Sequence, residues 1–137
     1  MKKIIISGLI AGVGIFIISM GFSFLLGYLF PAIQAEYQNP NLFRPWSDPL
    51  MSLYFAYPFI LGLGLAFFWN KTKEVFKGKG FNRAINFAGW YFLIAAIPGM
   101  LITYSSFPVS LGLIIIWTVS GFIEALVAGL VFDKFNA

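Results

Sequence analysis

Cysteine and histidine are both absent from the 137 residues. The first absence excludes disulfides, thiolate nucleophiles and cysteine-ligated metals. The second removes the commonest general base and the commonest transition-metal ligand. Charge is also scarce: Asp, Glu, Lys and Arg make up 10% of the chain, where a soluble domain carries about 25%. With 60% hydrophobic residues, a fold of this length cannot hide its apolar surface from water, so lipid must solvate part of it. The length suits a single domain, residues 1–137. The net charge is +4, but the basic residues sit between apolar runs and form no stripe that would track phosphates. Nucleic acid is therefore not expected as a partner.

What the chain has is four apolar runs, at about residues 4–29, 49–69, 83–104 and 108–132. Each reaches the ~20 residues that a helix needs to cross a bilayer at ~1.5 Å rise per residue. The first run follows Lys2 and Lys3, but it is roughly twice as long as a signal-peptide core of about 7–15 residues, so it reads as a span. Pro31 follows its end. Residues 34–49, QAEYQNPNLFRPWSDP, read as a loop that lays Tyr37, Phe43 and Trp46 on the headgroup layer, as an interfacial lid or a docking surface. Asp48 before Pro49 is a helix start, an acceptor at N-cap and a proline at N1. Pro58 predicts a kink near Tyr54. The second helix is expected to run on in water to about Lys77, with Gly78 and Gly80 ending it. Asn82 is the expected N-cap of the third helix, and Pro98-Gly99 should kink its outer third. The short connection from Tyr104 to Phe107 predicts an antiparallel hairpin, with Pro108 opening the fourth helix. Asp133, Lys134 and Asn136 are expected to end the chain in water.

Loop charge predicts orientation. Lys2, Lys3, Lys71, Lys73, Lys77, Lys79, Arg83 and Lys134 fall on one side and only Arg44 on the other. The positive-inside rule then places both termini in the cytoplasm. The expected fold is all-α: a multi-pass, antiparallel four-helix bundle in a cell membrane. The basic loop Lys71, Lys73, Lys77, Lys79 and Arg83 fixes this topology and suits anionic lipid, with Val75, Phe76 and Phe81 as interfacial anchors.

Glu124 is the one ionisable residue deep inside a predicted span. A charge at the centre of a bilayer costs at least about 2.5–3.5 kcal/mol, so this carboxyl must be neutral, paired or wetted. It reads either as a relay or substrate contact, or as a packed group bonded to a neighbouring helix. Projecting its depth onto the other runs gives Gly12 and Gly14, Gly62 and Gly64, and Trp90 to Ile94. Trp90 N–H and Tyr91 O–H are then the expected donors, with Ser120 and Thr118 completing the polar inventory. Gly121, Ala125 and Gly129, like Gly8 and Gly12, repeat at intervals of four, the spacing of small residues that pack helices within or between chains. No cofactor or metal is expected. An enzyme needs convergent polar groups in a pocket, and this set is too thin to predict one.

The fourth run, FPVSLGLIIIWTVSGFIEALVAGLVF, joins a proline start, a tryptophan, a Gly-x-x-Glu step and a small-residue stripe. Across residues 107–132 it resembles small four-helix prokaryotic membrane proteins classed as domains of unknown function. That resemblance implies a four-helix bundle in a cell membrane and no activity. Small multidrug exporters carry their embedded glutamate in the first helix, where this chain has no acid. Relatives of membrane-bound glutathione transferases hold glutathione with several arginines, for which only Arg83 and Asn86 stand here. The readings that remain are a non-catalytic component (scaffold, accessory or regulatory subunit) and a small oligomeric transporter or channel with Glu124 on its pathway. The expected partners are the lipid bilayer and either further copies of this chain or another membrane subunit.

Overall fold

A computed structural model describes residues 1–135; Asn136, expected to end the chain in water, lies outside them. The helices are α1 (Lys2–Leu29), α2 (Pro31–Tyr37), a 3₁₀ turn (Pro49–Met51), α3 (Ser52–Thr72), α4 (Phe81–Tyr91), a π turn (Phe92–Ala96), α5 (Ile97–Ser106) and α6 (Leu111–Phe135). Four stretches are long and apolar enough to cross a membrane: Lys2–Leu29, Pro49–Thr72, Phe81–Ser106 and Leu111–Phe135. The fold is all-α and compatible with an integral membrane protein.

Local chemistry explains where the helix ends differ from expectation. The first loop starts late, because Pro31, with no N–H to leave unsatisfied, opens α2 rather than closing α1. Asp48 caps the third element: its Oδ1 accepts from the Leu50 N–H at 2.9 Å. α3 ends at Thr72 rather than running on in water to Lys77. α4 begins at Phe81, so Asn82 is already inside the helix and is not its cap. Gly80 takes the cap position at φ +57°, a conformation glycine adopts without strain, and its N–H donates to Asp133 Oδ2 at 2.7 Å. Pro108 does not open α6. Ser110 does, because its Oγ accepts from the Leu113 N–H at 3.2 Å, a bond that proline cannot supply. Pro98 is accommodated by a change of winding rather than a break. Its ring would press on the carbonyl of Ile94, and the five residues Phe92–Ala96 wind as a π turn that widens the helix just there.

The helices form a row. α1 lies between α3 and α6, and α6 lies between α1 and α4. Glycines set these distances. A Cβ on Gly8 would stand 3.0 Å from Leu63 Cα, and one on Gly12 would stand 2.9 Å from Phe59 Cα. Gly62 faces the Gly8 carbonyl and Gly12 directly. Gly14 meets Val127 across the α1–α6 contact, and Gly129 meets Ala84 and Phe87 across the α6–α4 contact, with Ala125 fully buried beside it. Gly64 does not pack: it lies about 200° around α3 from Gly62 and meets open space. Gly121 touches only Ala96, at the ordinary distance of 4.0 Å.

Two apolar clusters hold the ends of this row. At the end carrying the loop between α3 and α4, Trp69, Phe76, Phe87 and Phe132 interlock, with Trp69 and Phe87 ring centroids 5.2 Å apart, over Ala11, Ile15, Leu65, Ala66 and Ala128. At the other end Ile33, Val109, Leu113 and Ile114 are buried beneath Tyr37, Phe43 and Trp117. α3 and α4 meet through the first cluster. No packing of the extent seen between α1 and α3 joins α3 to α5.

Candidate functional site

Glu124 lies near the middle of α6 and is 5% exposed. Two hydroxyls hold it. Ser19 Oγ on α1 donates to Glu124 Oε1 at 2.8 Å, and Ser120 Oγ, one turn back on α6, donates to the same oxygen at 2.9 Å. Oε2 accepts from none of the described residues. Among them no enclosed side-chain oxygen or nitrogen lacks a partner, so Oε2 is the part of the carboxyl that stays accessible.

Tyr91 on α4 is half-buried and packs against the aromatic core, whereas Tyr57 on α3 is 48% exposed. Two helices, α1 and α6, therefore bring hydroxyls to the carboxyl.

The residues expected here divide. Ser120 binds the carboxyl, and Tyr91 faces the interior against the aromatic core. Trp90 does not: it is 49% exposed and turned outward. Adjacent residues on a helix point about 100° apart, so Trp90 and Tyr91 cannot both face inward. The inner face of α4 is the one marked by Ala84, Phe87 and Ala88. Thr118 is engaged within its own helix, donating to the Ile114 carbonyl at 2.7 Å. Ser19 was not expected. It continues the buried face of the first run, because Ser7, Ala11, Ile15 and Ser19 follow one another at intervals of four. The depth projection pointed to Gly12 and Gly14 instead. Glu124 faces Ser19 because α1 stands about five residues further along than an alignment of helix ends gives.

A second polar cluster lies at the loop end. Arg83, expected as a topology charge in the basic loop, is committed to the fold. Its Nη1 donates to Asp133 Oδ1 at 3.1 Å, its Nε to the Phe76 carbonyl at 3.1 Å and its Nη2 to the Lys73 carbonyl at 2.5 Å. The guanidinium carbon sits 5.0 Å from the Trp69 ring centroid. The Arg83 and Asp133 side chains keep only 19% and 17% of their exposure. Lys71, Lys77 and Lys79 remain on the exposed surface around this knot.

At the opposite end the Glu36 carboxylate accepts from Ser110 N–H and Oγ, both at 2.6 Å, at the start of α6 where a negative charge is favourable. Tyr37 Oη accepts from Trp117 Nε1 at 2.6 Å. Burial pushes the Tyr37 phenol above its ordinary range, and the Trp117 bond pulls the other way. Trp46 stacks edge-on against Tyr54 with centroids 5.4 Å apart. Among the described residues no three acidic side chains gather as a metal site. No protein-family model matches the chain, and neither curated proteins nor solved structures give a match.

Proposed function

We propose that this chain is a non-catalytic component of a cell membrane, a scaffold, accessory or regulatory subunit. Its four spans alternate in direction and its termini lie in the cytoplasm. The contacts Gly8 with Leu63 and Gly12 with Phe59 support the alternation between α1 and α3, since residue numbers rise on one helix as they fall on the other. The bias of eight basic loop residues against Arg44 supports the orientation. The observation that carries the reading is the Glu124 clamp. The one acid deep inside the spans takes hydroxyl donors from two helices, α1 and α6, and among the described residues no cation or second acid pairs with it. Such a group joins spans.

A second reading, a small oligomeric transporter or channel, draws on the accessible Oε2. The absence of cysteine makes one experiment separate the two. Glu124→Cys is placed in vesicles of known orientation, and an impermeant thiolate-selective reagent is added from each side, with an exposed-loop cysteine as control. A folded protein unlabelled from both sides supports the membrane-component reading. Labelling from either side brings water to this depth and moves transport ahead.

A further inference from the structure

We infer that the seam between α3 and α4 at the loop end is a binding site for one anionic diacyl phospholipid, whose chains lie on either side of the Trp90 ring and whose phosphate meets Lys71 and Lys77.

The apolar half of the site is a pair of grooves that share one wall. The first, of about 150 Å³, is lined by Phe68 and Thr72 of α3, by Val75 and Phe76 of the loop, and by Trp90 and Ile94 of the third span. The second, of about 200 Å³, runs over Asn86, Gly89, Trp90 and Leu93. Phe68 and Thr72 are one helical turn apart, and so are Asn86 and Trp90. Both grooves therefore run along the spans, as an acyl chain does. Trp90, with half its surface open, stands between them. Gly89 keeps the second groove free: a Cβ there would meet no atom within 4 Å. Gly62 and Gly129 bring helices together, but Gly89 serves no such contact. Its missing side chain leaves room on the outer face.

The polar half lies at the mouth. Lys71 follows Phe68 by three residues, so the two are neighbours on one face of α3. The Lys77 carbonyl accepts from Asn86 Nδ2 at 3.4 Å, which puts Lys77 at the head of the second groove. Both lysines are exposed, as is Lys79 in the same loop, and Glu74 is the one acid among residues 71–80. Arg83 is not available to a ligand, being held by Asp133 and two carbonyls. Each groove thus opens beneath a cation on a flexible stem, placed where lysines reach for the headgroup layer. A phosphate joined to two chains satisfies both halves at once. A single-chain carboxylate would fill one groove only. A zwitterionic lipid carries its own ammonium to the same lysines, which offsets the attraction.

The test is quenching of Trp90 fluorescence by lipids brominated on their chains. The whole chain is placed in phosphatidylcholine vesicles that hold rising mole fractions of brominated phosphatidylglycerol or, in parallel, brominated phosphatidylcholine. Trp90→Phe, in each background, gives the signal of the other tryptophans to subtract. The expected result is that phosphatidylglycerol is preferred at Trp90 about 5- to 30-fold, roughly fivefold for each lysine. Lys71→Gln with Lys77→Gln should abolish the preference. Gly89→Leu keeps both lysines but fills one groove, and should reduce the preference at least about threefold. The lysines lie on the surface and Gly89 in open space, so the variants should fold, which circular dichroism checks; the lysine pair tests the site by itself if Gly89→Leu does not. Equal quenching by the two lipids, the result for lipid that merely solvates this face, would overturn the proposal. So would a preference that survives the double lysine replacement, or one unchanged in folded Gly89→Leu, which would reduce the site to diffuse charge attraction.

Discussion

The knot at Arg83 and Asp133 offers the sharpest test of how the loop end is held. Asp133→Ala removes the acceptor for Arg83 Nη1 and the acceptor for the Gly80 N–H at the start of α4. The pair is neither a surface bridge, worth about 0–1 kcal/mol, nor fully buried, where losing one partner costs about 3–5 kcal/mol. With less than a fifth of each side chain exposed, a loss of about 2–4 kcal/mol follows, roughly 30- to 900-fold in the folding equilibrium. Arg83→Ala should cost more, because it also strips the Lys73 and Phe76 carbonyls of their donor and uncovers the Trp69 ring. Equilibrium unfolding in mixed micelles, followed by circular dichroism, measures both, and the double variant completes a cycle. Its coupling energy should fall near 1–3 kcal/mol. A stability change below about 0.5 kcal/mol for Asp133→Ala, or additive single variants, would refute the claim that the two side chains act as one unit.

Three further outcomes follow from packing and charge. Gly62→Ala should destabilise by about 1–3 kcal/mol, because its methyl would run into the Gly8 carbonyl, whereas Gly64→Ala, in open space, should be neutral or stabilise by up to about 1 kcal/mol; the same unfolding assay reads both. Tyr37→Phe leaves the Trp117 N–H without its acceptor and should cost about 1–3 kcal/mol. Because burial raises the Tyr37 phenol, its contribution is whole below the ordinary phenol range near ~10 and is lost as pH rises through the folded value, a dependence the Phe variant should abolish. Asp48 is shifted the opposite way, held below the usual carboxylate range by the Leu50 N–H first and by Arg44 second. Its cap is intact above about pH 4 and lost as pH falls through the lowered value, so the protection factor of the Leu50 amide should fall in acid, and in Asp48→Ala at neutral pH.

Much of the architecture was legible because lipid imposes a simple rule. A span must satisfy its backbone internally and be apolar for ~20 residues, so four runs in the sequence become four long helices. Caps were less legible because they depend on competition between neighbours. Pro108 and Ser110 both suit a helix start, but only Ser110 offers an oxygen to Leu113, and Glu36 then binds its N–H and hydroxyl. Pro98 announced a disturbance without fixing its form. A kink and a π turn both relieve the clash with the Ile94 carbonyl, and packing of the turn against α6 goes with the second.

The site was harder to read than the fold, for a reason visible in Ser19. Hydropathy fixes how long a span is but is nearly indifferent to sliding one span past another, since lipid accepts any apolar side chain. The register between α1 and α6 is set by close contacts such as Gly14 with Val127, and those contacts are a property of two surfaces together. A shift of five residues replaces Gly14 by Ser19 as the neighbour of Glu124, and so replaces an empty layer by a hydroxyl donor. Facing followed the same logic on α4, where the 100° step between Trp90 and Tyr91 admits only one of them to the interior. The burial of Ala84, Phe87 and Ala88 decides for Tyr91. A lone acid in a span therefore identifies where polar groups must gather. Which groups gather is decided by the small residues that let the helices meet, and along the first span Gly14, against Val127, sets the register that brings Ser19 to Glu124.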